Sequence, residues 1–158
     1  MPPTTTMTVA SLRAQHQKDL SVYRAAHREW RNQCIHYVMI PVECFSFVLF
    51  VAITTGQLVA WTIGVVLALL SFSVATDRGI GLLACVYHLA SSFYSIVVVD
   101  EYGRKTAFLM ALVCWTVAWF VQVGVGHYLF EKNSPNVANM SDVSYLAMCL
   151  SVLIAWSS

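Results

Sequence analysis

Residues 37–54 read YVMIPVECFSFVLFVAIT, and the fold turns on what these residues do. Glu43 is the one charged side chain in the run, which has the length of about 17–25 residues that a helix needs to cross the hydrocarbon of a bilayer. Three more stretches of this kind follow, at about Leu58 to Ala75, Ile80 to Val99 and Ala107 to Gly126. Composition agrees: 58% of the 158 residues are hydrophobic and 11% charged, against roughly 25% charged in a soluble domain. The chain therefore reads as an all-α integral membrane helical bundle with about four spanning helices. A fifth apolar stretch, Val143 to Trp156, is short for a span and predicts a short C-terminal apolar helix packed on the bundle or re-entrant.

The Pro/Thr-rich residues 1–10 are expected to be disordered, leaving residues 11–158 as a single membrane-embedded domain. From Ser11 onward His16, Leu20, Tyr23, His27 and Trp30 recur at steps of four, three, four and three, which predicts an amphipathic helix on the membrane surface. The opening residues lack the apolar core of a secretory signal, so the first span is expected to direct insertion. Arg13, Lys18, Arg24, Arg28 and Arg31 outweigh Asp19 and Glu29, which places the N-terminus in the cytosol. Arg104 and Lys105 are a counter-signal on the other side. The five cysteines have no metal-site spacing and read as small buried residues.

Connections between spans are short, so polar groups can be assigned to sides by parity. His27 and His36 precede or open the first span, Asp77 lies in the second connection, and His127 and Glu131 follow the fourth. All five meet at one membrane face whichever way the protein is inserted. At about 100° per residue, Asn32, His36 and Glu43 share one helix face, as do His127 and Glu131. His27 and His36 are half a turn out of phase on a continuous helix and converge only if the chain bends between them. Each residue also has a plainer reading. A histidine beside a span can be merely interfacial, Asp77 can cap the third span, Glu131 can be a solvated partner of Lys132, and His88, mid-span, can be a packed polar residue or a deeper wall of the site. Glu43 is harder to dismiss, because a carboxylate inside a span is expensive and usually functional.

Three blocks then carry a resemblance: YRAAHREWRNQCIHYVMIP (23–41), TDRGIGLL (76–83) and WFVQVGVGHYLFEKNSP (119–135). The chain resembles the small membrane-protein family that includes the yeast endoplasmic-reticulum 2-hydroxy fatty acid dioxygenase, an iron(II) enzyme that shortens its substrate by one carbon. The resemblance implies that His27, His36 and His127 are iron ligands, with Asn32, Asp77, Gln122 and Glu131 around them. It also implies an endoplasmic-reticulum membrane if the source is eukaryotic. Glu29 and Trp30 stand where the family has Asn-Pro, and one extra residue separates Gln122 from Gly126. On an α-helix that residue turns Gln122 about 100° relative to His127.

Three functions follow. The first is a membrane-bound Fe(II) oxygenase acting on a lipophilic 2-hydroxy acid, with His27, His36 and His127 on the metal, Glu43, Asp77, Glu131 and Asn32 as catalytic candidates, and Trp30, Gln122 and His88 facing substrate. The second is a metal-free cyclase or isomerase of terpenoid or polyketide metabolism, with Glu43 as the acid, histidines as a relay, and Trp30, Phe45, Phe47, Phe93, Tyr94, Trp115 and Trp119 as an aromatic wall. The third is a non-catalytic lipid-binding protein, which leaves the gathering of polar groups unexplained. The expected partners are a lipophilic small molecule and membrane lipid, with a homo-oligomer allowed and no nucleic acid.

Overall fold

The computed structural model describes residues 8–75 and 77–132. The C-terminal apolar stretch, Cys149 and residues 1–7 lie outside them. Helix α1, Val9–Ala26, begins two residues before the expected Ser11, because Thr8 caps it: the Thr8 hydroxyl accepts from Ser11 N and the Ser11 hydroxyl accepts from Thr8 N. Helix α2, Trp30–Thr55, and helix α3, Gln57–Val74, match the first two expected spans. Between them stands Gly56 with φ 101°.

From Arg78 the chain is helical to Glu131, as an α-helix over Arg78–Phe120 and a π-helix over Val121–Glu131. A straight rod of 54 residues would be about 80 Å long, far more than a bilayer core. Contacts show that it is two antiparallel arms. Tyr87 donates its hydroxyl to the carbonyl of Pro41, while the His127 ring lies 5.1 Å from that of His36. Pro41 and His36 are five residues apart on α2, roughly 8 Å along its axis, yet a rod would separate Tyr87 from His127 by about 60 Å. The reversal falls at Gly103, whose φ of 73° and ψ of 162° are non-helical. We call residues 78–102 α4 and residues 104–131 α5. The described bundle thus has four spanning segments, α2 to α5, beside α1.

The packing is that of a membrane protein. Large apolar side chains such as Leu58, Leu69, Leu82, Val113 and Phe120 face outward, whereas Ala60, Gly64, Ala68, Ala84, Ala107, Ala111 and Ala118 are buried with Ser71, Ser92 and Ser95. Lipid is as apolar as leucine, so helices gain by close approach of small residues rather than by hiding large ones. A Cβ on Gly64 would sit 1.9 Å from the Ser92 hydroxyl, which shows how tightly α3 meets α4. The same logic corrects the expected aromatic wall: Phe47, Phe93, Tyr94, Trp115 and Trp119 are exposed on the outer surface, and Phe45 packs against the Leu49–Ala107–Ala111 cluster. Cys34 is likewise exposed, not buried, because it lies opposite Asn32 and His36 on α2, while Cys44 is buried and Cys85 gives its thiol to the Ala68 carbonyl.

Helix α1 lies against α3, with Arg13 donating to the Ser73 carbonyl. Its face is read correctly as far as His16, Tyr23 and His27, all buried, but Trp30 is 66% exposed. The helix has ended by then, and the phase is lost.

Candidate metal centre

Helix α1 ends at Ala26 and α2 starts at Trp30, so the bend needed between His27 and His36 exists without a proline. His27 and Glu29 hold non-helical backbone angles. Carboxylates take the backbone donors that the break frees. Glu29 caps α2 by accepting from Arg31 N at 2.7 Å and Asn32 N at 3.2 Å, and Arg31 Nε pairs with its other oxygen at 2.8 Å. Glu131 reaches in from α5, accepting from Arg28 N at 2.8 Å, Glu29 N at 3.1 Å and Asn32 Nδ2 at 3.1 Å. Gln33 Nε2 donates to the His27 carbonyl.

The π-helix absorbs the extra residue before Gly126. On an α-helix Gln122 and Glu131, nine residues apart, would point to opposite sides. The i→i+5 bonding of a π-helix winds more residues into each turn, so nine residues come close to two turns. Gln122, Gly126 and His127 are accordingly buried on one side. Gln122 donates to Glu43 Oε2 at 2.9 Å, and Gly126 lies against α2, where a Cβ would come 2.2 Å from Asn32 Oδ1 and 3.5 Å from His36 Cε1.

These two devices bring three imidazoles together. The ring centroids of His27, His36 and His127 are 4.6, 4.8 and 5.1 Å apart. All three residues are buried, and one potential ligand atom from each lies within 4.8 Å of the others. His27 Nδ1 is 2.8 Å from the Tyr23 carbonyl, which only accepts, so Nδ1 carries the proton and Nε2 presents a lone pair. That Nε2 is 3.0 Å from His36 Nε2, close enough for one ion to take a nitrogen from each ring. Burial pushes His27 down to about 4, so its ring is neutral and able to ligate. The Nδ1 atoms of His36 and His127 are buried with no hydrogen-bond partner among the described residues. An unmet buried donor or acceptor costs about 1–3 kcal/mol. The donor set, the lone pair at His27 and the approach of His36 Nε2 to it fit a divalent metal that favours imidazole, iron(II) among them.

Among the other expected site residues, Asn32 is buried beside the triad, its amide nitrogen on Glu131 and its Oδ1 toward Gly126. Glu131 borders the site but spends its oxygens on the bend. Glu43 and Gln122 form a pair deeper in the bundle. Asp77 is exposed and caps α4 by accepting from Ile80 N at 2.9 Å. His88 is buried away from the triad, beside Tyr87, with neither ring nitrogen partnered among the described residues. Trp30 does not join the cluster.

Sequence reading did not single out Tyr23, Glu29 or Gly126 as site residues. Tyr23 stacks on His27 with centroids 3.8 Å apart, and its buried hydroxyl has no partner among the described residues. Its signal was the spacing of four to His27, which also places the Tyr23 carbonyl within reach of Nδ1.

A helical membrane bundle with three buried histidines converging from two segments of chain and the start of a span defines a membrane protein with a candidate metal centre. The chain belongs to the Mpo1-like family, described as 2-hydroxy-palmitic acid dioxygenase Mpo1-like, whose family profile matches residues 13–156. No curated protein and no solved structure matches it.

Proposed function

We propose that the protein is a membrane-bound iron(II)-dependent oxygenase that shortens a 2-hydroxy fatty acid or similar lipophilic hydroxy acid. The observation that carries this reading is the convergence of His27, His36 and His127 with the His27 lone pair turned inward. Iron(II) held there would supply open coordination positions for oxygen and for a chelating hydroxy acid. Three neutral imidazoles leave its charge uncompensated, which suits an anionic substrate. The family description names this substrate class for its relatives.

The chain's own groups have separate tasks. The Tyr23 carbonyl fixes the His27 tautomer, and the Tyr23 ring covers one face of that imidazole and keeps water from it. The Tyr23 hydroxyl, unpartnered among the described residues, is a donor for a substrate oxygen. Asn32, pinned by Glu131, holds its Oδ1 against Gly126, next to His127. The site lies where α1 meets the start of α2, and an acyl chain reaches it from the bilayer. An endoplasmic-reticulum membrane with the N-terminus in the cytosol is the setting we infer from the family and the basic N-terminal segment. The test is turnover: protein in mild detergent with a 2-hydroxy fatty acid and oxygen should yield the acid one carbon shorter, lose activity on chelation and regain it with iron(II). Turnover indifferent to chelators would reject the reading.

A further inference from the structure

We infer that Glu131 is a positioning residue that aims His27 at the other two imidazoles by holding open the break between α1 and α2. This rests on the reading of His27, His36 and His127 as metal ligands. Local sequence opposes the break. Residues 24–33, RAAHREWRNQ, contain no glycine, proline or β-branched residue, and such a stretch favours one continuous helix. Along that helix His27 and His36 would project to opposite faces. Leaving the helix at residues 27–29 strips Arg28 N and Glu29 N of helical acceptors, and an alternative acceptor decides whether the break persists.

Glu131 is that acceptor for both, through different oxygens. Oε1 takes Arg28 N, and Oε2 takes Glu29 N together with Asn32 Nδ2. It also stands four residues beyond His127 on α5. One side chain therefore ties the break carrying His27, the turn of α2 that leads to His36, and the helix bearing His127. A glutamine has the same length but a single acceptor oxygen, and its NH2 group would face one of the donors.

The structure also supplies a rescue. Trp30 is the first residue of α2, where a backbone N–H has no helical acceptor, so proline loses nothing there and presets the helical φ. The preceding Glu29, at φ −82° and ψ 121°, already has the extended angles that a following proline requires. Trp30→Pro should therefore enforce the break without Glu131.

The experiment is cobalt(II) titration of the full chain in mild detergent, read by visible d–d absorption, on the wild type, Glu131→Gln, Trp30→Pro and the double variant. Glu131→Gln should weaken cobalt affinity about 10- to 100-fold, the range for residues that orient metal ligands. Trp30→Pro should bind like the wild type, and the double variant should recover most of the loss, which misfolding caused by the Glu131 change could not produce. Wild-type affinity in Glu131→Gln would overturn the inference, as would a loss that Trp30→Pro leaves uncorrected. A wild type that gives no cobalt spectrum would instead reject the metal reading, and this inference with it.

Discussion

The two ends of the bundle redirect the chain by different chemistry. At one end Gly56 and Gly103 take positive φ, and a Cβ at either would meet nothing within 4 Å. Gln57 and Asp100 share a hydrogen bond there across the helix ends. At the other end the break at residues 27–29 uses no glycine. It is held by Glu29 and Glu131, and Gly126 beside it is closed in by Asn32 and His36. Backbone freedom makes the glycine end, and a change there strains only its own residue. The histidine end is made by side chains linking α2, α5 and the break, so a change there moves the imidazoles.

The largest expected effect that could break this contrast is at His127. His127→Ala should remove metal binding and turnover while circular dichroism shows the helical content unchanged; an active variant would end the assignment. Gly126→Ala comes next. Its Cβ must displace Asn32, and overpacking of this kind costs about 1–3 kcal/mol, so thermal unfolding in detergent should come earlier and iron occupancy should fall. Glu43→Gln keeps the side chain's length beside Gln122, and a several-fold loss of turnover with full iron content is expected. Complete loss with iron retained would favour the acid/base mechanism. The smallest effect on the site should come from Gly103→Ala. A non-glycine residue at φ 73° and ψ 162°, a region held almost only by glycine, costs roughly 1–3 kcal/mol, so stability should drop while iron affinity stays at the wild-type value.

The spans were legible because each is a long apolar run and crossing a bilayer requires little else. Parity alone, which needs only the number of crossings, put His27, His36, Asp77, His127 and Glu131 at one face, but it did not show that Asp77 stays outside the cluster as the cap of α4. The bend was foreseen as necessary, but not its cause. Glu29 is adjacent in sequence, whereas Glu131 acts across 103 positions to Arg28, and no local pattern reports that pairing. Gln122 was hard to place because α-helical phase does not apply inside a π-helix. The aromatic wall failed for a reason particular to membranes: large side chains point to lipid, and the small residues beneath them form the helix contacts.

The central claim is that the three histidines hold iron, and metal analysis of the purified wild-type protein beside His127→Ala tests it most directly. The account predicts about one iron per chain in the wild type after mild-detergent purification, and iron near background in the variant. Equal metal content in both proteins, or a catalytically active wild type free of metal, would contradict it.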